Sequence, residues 1–257
     1  MRLFILLFLT FFFLSCILKE RKKDIFQIID LKASGDYFDP ERKIFHTFKK
    51  STRIVYKGEY TLYLAPETKH YTEAVRNEKG EVIDERASKV DTIYKIYVMK
   101  LGDKECLKYS LNNFNSEKGI LLDADSARQD LTLSDKDLHY FDKGLGTPTE
   151  MTKNGKVLTE KFLLKKNAIG QPDSVYRYYN QDYNDIVFSF SKYQDRQKKS
   201  KLYRSSYIYC LIDKGIVLPD VAIPRREVFY EIVKVSDKRT GIFNEIIEKF
   251  KKDRLIK

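Results

Sequence analysis

Arg53-Ile54-Val55-Tyr56-Lys57-Gly58-Glu59-Tyr60-Thr61-Leu62-Tyr63-Leu64 decides the fold class. Read as one extended segment, it places Ile54, Tyr56, Tyr60, Leu62 and Leu64 on one side. Arg53, Lys57, Glu59, Thr61 and Tyr63 fall on the other. Alternation of this kind is the period of a β-strand with one buried and one wet face. Its β-branched and aromatic residues are those that strands prefer.

The same grammar continues outward. Thr92–Lys100, Cys106–Leu111, Lys156–Leu164, Asp173–Tyr179, Asp185–Ser191, Lys201–Ile212 and Glu227–Val235 all read as strands. Turn signals separate them. Asn77-Glu78-Lys79-Gly80 and Leu101-Gly102-Asp103-Lys104 are two, and Lys153-Asn154-Gly155-Lys156 carries an Asn-Gly pair suited to a type I′ hairpin. Upstream, residues 24–34 predict a short helix or a first strand, broken by Ser34-Gly35-Asp36. Residues 115–150 differ: Asp123 to Asp130 opens a short helix or loop insertion, and Gly144-Leu145-Gly146-Thr147-Pro148 closes it. From Thr240, Ile242, Phe243, Ile246, Ile247 and Phe250 share one helical face. Thr240 can cap that helix. Glu245–Lys249 and Glu248–Lys252 stand at i,i+4 in the favourable order.

Nine or ten strands against one or two helices, with hairpin connections and no βαβ alternation, predict a mainly β protein. The expected architecture is an antiparallel sheet or sheets, as a sandwich or an open or partial barrel, with a C-terminal amphipathic helix at about 240–256. The expected organisation is a signal segment at 1–15, a tether at 16–34 and a single β-rich domain at 35–257.

The N-terminus has its own pattern. Arg2 precedes an unbroken apolar run from Leu3 to Phe13, and Leu14-Ser15-Cys16 follows. A bilayer-spanning helix needs about 20 apolar residues, so this run is short for a span and suits a signal h-region. Ile17-Leu18 and then Lys19-Glu20-Arg21-Lys22-Lys23 end the apolar segment abruptly. The segment resembles the signal and lipobox of bacterial lipoproteins, departing from their usual pattern only at Phe13. The resemblance covers residues 1–16. It implies cleavage before Cys16, lipidation of that cysteine, and a membrane partner reached through the acyl chains. The expected location is the cell envelope, in the outer membrane, on its periplasmic or surface face.

Cleavage there removes only Arg2 among the charges, so a formal +11 becomes +10 on a 242-residue chain. Such an excess favours anionic surfaces. The densest stretches are Arg21-Lys22-Lys23, Arg196-Gln197-Lys198-Lys199-Ser200-Lys201 and Lys249 to Lys257. No nucleic-acid-binding signature accompanies them, and export makes nucleic acid an unsuitable partner. Beyond Cys16, Cys106 and Cys210 remain. They form an even pair that reads either as a disulfide closing a long loop or as two buried free thiols. Their spacing excludes a paired-CxxC zinc site.

The search for chemistry returns little. The chain has no G-x-S-x-G elbow, Walker A loop, H-E-x-x-H or G-x-G-x-x-G. His46, His70 and His139 lack ligand spacing. Asp123, Asp125 and Asp130 depart from the EF-hand pattern at Ala127 and Arg128. Asn180, Asp182 and Asn184 begin one, but Asp185 and Ser191 stand where glycine and glutamate belong. No cofactor and no metal is expected. Tyr203, Tyr207 and Tyr209 read as a row on one strand face, available to a partner. The expected function is therefore a non-enzymatic binding or structural lipoprotein that holds an envelope protein, glycan or lipid. The alternative is an envelope hydrolase of glycan or peptide, using an acid pair or a histidine-assisted nucleophile.

Overall fold

The computed structural model describes residues 25–39, 41–76, 79, 82–131, 141, 144–165, 171–216, 222–237 and 240–255. Its elements are β1 (Gln27–Asp39), β2 (Ile44–Lys57), β3 (Tyr60–Arg76), β4 (Val82–Lys100), β5 (Glu105–Ser110), β6 (Ile120–Asp123), α1 (Ala124–Leu131), β7 (Glu150–Asn154), β8 (Val157–Leu163), β9 (Ser174–Asn180), α2 (Lys192–Lys198), β10 (Lys201–Tyr209), β11 (Arg226–Lys234) and α3 (Thr240–Leu255). The hydrogen-bonded strand order is β6-β5-β4-β3-β2-β1-β11-β10-β9-β8-β7. The registers of the paired strands are antiparallel. The chain is thus mainly β, with an open antiparallel sheet and a C-terminal helix. Two compact units divide it: one takes residues up to Phe26, Arg53–Ala127 and residues from Asp237 onward, and the other takes Gln27–Thr52 and Arg128–Ser236.

In the first unit, the stretch Arg53–Leu64 is not one strand. It is the end of β2, a two-residue turn at Gly58-Glu59, and the start of β3, with Lys57 opposite Tyr60 and Arg53 opposite Leu64. Gly58 has φ +58°, the sign a type II′ turn requires at its first loop position, where glycine sits at least cost. The turn also reverses the parity of the alternation, because directly paired residues share a face. Arg53, Val55, Lys57, Tyr60, Leu62 and Leu64 therefore lie together, opposite Ile54, Tyr56, Thr61 and Tyr63. Ile54, Val55, Leu62, Tyr63 and Leu64 are all buried, so both faces are dry at the base of the hairpin.

Helix α3 covers the first of those faces. Phe243, Ile246, Ile247 and Phe250 are buried as the periodicity predicts. Phe250 meets Tyr60 edge-on at 6.0 Å, and Phe243 lies 6.0 Å from Phe26. Lys57 donates to Asn244, and Arg53 pairs with Asp237 at 2.9 Å. Toward the helix end, Asp253 accepts from the Tyr109 hydroxyl and the Gly119 amide, while Arg254 pairs with Asp103. The intrahelical ion pairs are Lys251–Glu248 and Lys249–Asp253. They are not the two pairs expected from spacing.

In the second unit, β1 begins inside the stretch read as tether and runs straight through Ser34-Gly35-Asp36. The predicted break does not occur, because β11 pairs with every residue from Ile29 to Gly35. Gly35 is needed there for closeness. A Cβ at this position would stand 2.7 Å from Val228 Cγ2 and 3.0 Å from Phe48 Cε1. Gly35→Ala should therefore cost about 1–3 kcal/mol through overpacking, read as a lowered urea midpoint. An unchanged midpoint would show that Val228 and Phe48 yield freely.

The β7–β8 hairpin also turns on a glycine, one position later than expected. Asn154 pairs with Val157, the loop is Gly155-Lys156, and Gly155 has φ +57°. The expected strand Asp185–Ser191 is absent. Ser191 instead caps α2, its hydroxyl accepting from the Gln194 amide. Capping chemistry overrides β propensity there.

Candidate functional site

Cross-strand registers assign every β8–β11 side chain to one of two faces. The first carries Lys161, Tyr176, Tyr178, Arg204 and Phe229. Arg204 lies over Phe229 at 4.5 Å and over Tyr178 at 5.6 Å, and it pairs with Glu227 at 3.1 Å and Glu231 at 3.7 Å. Such a ladder of cation–π and charge pairs satisfies itself across neighbouring strands.

The second face is the core of this unit. Tyr179, Leu202 and Phe141 are buried, and Phe141 stacks on Phe190 at 4.8 Å. Its polar members are buried with it. Glu160 stands opposite Arg177 across β8 and β9 and accepts from Lys198. Arg177 donates to the Phe141 carbonyl at 2.9 Å. Tyr179 reaches Gln194 of α2 at 3.4 Å.

Along the same face toward the ends of β10 and β11, rings replace these polar groups. Phe141 meets Tyr230 at 5.6 Å and Tyr207 at 6.5 Å, and Tyr207 meets Tyr230 at 6.2 Å, all edge-on. Next come Tyr209 and its cross-strand partner Arg226. The Arg226 guanidinium lies 4.7 Å from the Tyr209 ring centroid, and its Nη1 is buried with no hydrogen-bond partner. A buried donor without an acceptor carries a desolvation cost of about 1–3 kcal/mol, more when charged. An anion placed there would remove it.

The predicted tyrosine row divides. A bulge between Leu202 and Arg204 inserts Tyr203 as an extra residue. Tyr203 therefore joins the Arg204 face, 5.1 Å from Tyr183 and 6.4 Å from Tyr178. Tyr207 and Tyr209 stay on the ring-lined face. Tyr230 and Arg226 were not singled out from sequence. The period-2 reading of Glu227–Val235 already placed Tyr230 in a strand, and only the β10 register puts it beside Tyr207.

Other candidate residues fall elsewhere. Cys16 lies outside the described residues, as do His139 and the side chain of His70. Cys106, buried in β5, and Cys210, just past β10, are free thiols, and Cys210 is exposed rather than buried. His46 stacks on Tyr37 at 5.2 Å and sits 3.7 Å from Asp39. The Asp123 carboxylate accepts the Ser126 amide at the start of α1. Asn180 accepts from the Asp182 amide, Lys156 pairs with Asp182, and Lys234 pairs with Asp185. That loop is answered by lysines, and no cluster of metal-ligating groups occurs among the described residues. Two of the four cations in the basic stretch 196–201 are engaged in internal pairs, Lys198 with Glu160 and Lys201 with Asp195.

Burial raises the phenol pKa of Tyr56, Tyr109 and Tyr179 above the ordinary value of 10.0, and the Asp253 charge adds to the effect at Tyr109. A phenol held protonated by folding contributes stability that is complete below about 10. That stability is lost as pH rises from there toward the folded value. The denaturation midpoint should be insensitive to these groups at pH 8–9 and fall steeply above pH 10. Replacing Tyr109 with Phe should flatten part of that fall, and an unchanged slope would remove Tyr109 from the account.

No family model matches the chain, and no curated protein sequence matches it. Among solved structures, the crystal structure of a LolA superfamily protein from Nitrosomonas europaea is similar over 86% of this chain and 90% of that one, at 11% identity and a TM-score of 0.24.

Proposed function

We propose that this chain is a lipid-anchored envelope protein whose sheet binds an amphiphile, an apolar chain bearing an anionic head, and performs no catalysis. The half-buried rings of Tyr207, Tyr209 and Tyr230, backed by the buried Phe141 and ending at Arg226 with its unanswered buried nitrogen, carry this reading. Aromatic rings supply large apolar area. A guanidinium supplies the forked donor that carboxylate and phosphate groups fit. The lipobox-like Leu14-Ser15-Cys16 supports the membrane location.

Two experiments test it. Titration with lysophosphatidylglycerol should give saturable binding that Arg226→Gln weakens about tenfold or more, the scale of one charge-assisted hydrogen bond. Equal binding by both proteins would remove Arg226 from the site. Cys16→Ala should shift the chain out of the membrane fraction and abolish its acyl mass. Unchanged fractionation would remove the anchor.

A further inference from the structure

The pairing of β1 with β11 ends at Gly35, and that of β2 with β3 covers only Arg53–Lys57. β1 and β2 are hydrogen-bonded neighbours, and their far ends continue past those limits as a two-stranded ribbon whose described tip residues are 36–39 and 41–50 of the second unit. The tip is ordered by its own contacts. Asp39 accepts the Glu41 and Arg42 amides, Thr47 donates to Asp36 at 2.6 Å, and Phe38 packs on Phe45 at 5.0 Å. Tyr37 stacks on His46.

Order at the tip comes with exposed apolar surface. Tyr37, Ile44 and Phe45 are 51%, 45% and 39% exposed. Around them Arg42, Lys43, Lys49 and Lys50 are exposed as well. Asp39 is taken up within the tip, facing Arg42 at 3.9 Å and His46 at 3.7 Å, and four cations against three acids leave the tip a formal charge of +1. Aromatic rings beside lysine and arginine are the chemistry of the headgroup layer. Rings bridge its apolar and wet sides, and cations near an anionic surface add attraction.

We infer that the β1–β2 tip is a second membrane contact, seating Tyr37, Ile44 and Phe45 in the interface of an anionic bilayer. This contact is additional to the proposed Cys16 anchor and uses none of the side chains proposed to hold the amphiphile.

The chain has no tryptophan, so Phe45→Trp in the full-length protein gives a single reporter at the tip, and Leu101→Trp gives one on an exposed turn of the other unit. Vesicles of mixed phosphatidylglycerol and phosphatidylcholine should blue-shift the Phe45→Trp emission. Brominated lipid should quench it, and the Leu101→Trp emission should not respond. Half-saturation should need about tenfold more lipid when the vesicles are pure phosphatidylcholine. The inference is overturned by an unresponsive Phe45→Trp protein, by equal quenching at both positions, or by a blue shift that grows with protein concentration without lipid. The last result would assign the tip to a second copy of the chain.

Discussion

Glu160→Ala should lower the stability of the chain by about 3 kcal/mol, the low end of the cost of breaking a buried ion pair, because Lys198 keeps partial access to water. Glu160 is 1% exposed, stands opposite Arg177 and receives the Lys198 ammonium. Arg177 is 2% exposed, so it cannot turn to water when the carboxylate is lost. A buried pair is costly to break and cheap to replace, because its Coulombic gain mainly offsets the desolvation of both charges. The triple change Glu160→Met, Arg177→Met, Lys198→Met should therefore recover most of the loss. Urea midpoints of the single and triple variants decide it. A triple variant no better than the single would show that the charges stabilise beyond their own desolvation.

Phe250→Ala should cost a comparable 3–5 kcal/mol, from lost transfer energy plus the cavity left between helix and sheet. Phe250 is 2% exposed and meets Tyr60 at the first residue of β3. Its loss acts at the point where α3 covers the β2–β3 hairpin. Exposed ends of the helix should tolerate change: Leu255 is 85% exposed, and Leu255→Ala should stay within about 0.5 kcal/mol. Thermal melts of the two variants side by side would separate packing from helix propensity. Equal effects would mean that α3 is held by its own sequence and not by the sheet.

Periodicity carried the fold class and much of the architecture. The alternation of β8, β9 and β11 and the apolar stripe of α3 can be read directly, because each element buries one face against a neighbour. What could not be read were the places where one residue changes parity. Gly58-Glu59 preserves the appearance of unbroken alternation while reversing the chain. Tyr203 enters as a bulge and moves to the face opposite Tyr207. Ser34-Gly35-Asp36 has turn composition, yet its glycine serves close approach to Val228 and Phe48. Asp185–Ser191 has strand composition, yet Ser191 begins a helix. The candidate site was half legible for the same reason. Tyr207 and Tyr209 stood out as a row, while Arg226 and Tyr230 gained meaning only from the β10–β11 register, which no local pattern encodes.

That register sets a clock. β1 is bonded to β11 from Ile29↔Lys234 to Gly35↔Val228, partners about two hundred residues apart. At synthesis rates of about 5–20 residues per second, the earlier strand waits roughly 10–40 s for its mate. During that interval it is a strand with Ile29 and Leu31 uncovered and one edge open, able to pair with the wrong chain. Non-local pairing of this kind also slows folding toward the millisecond-to-second range. A nascent chain of this topology therefore depends on whatever holds it extended until its last strand is made.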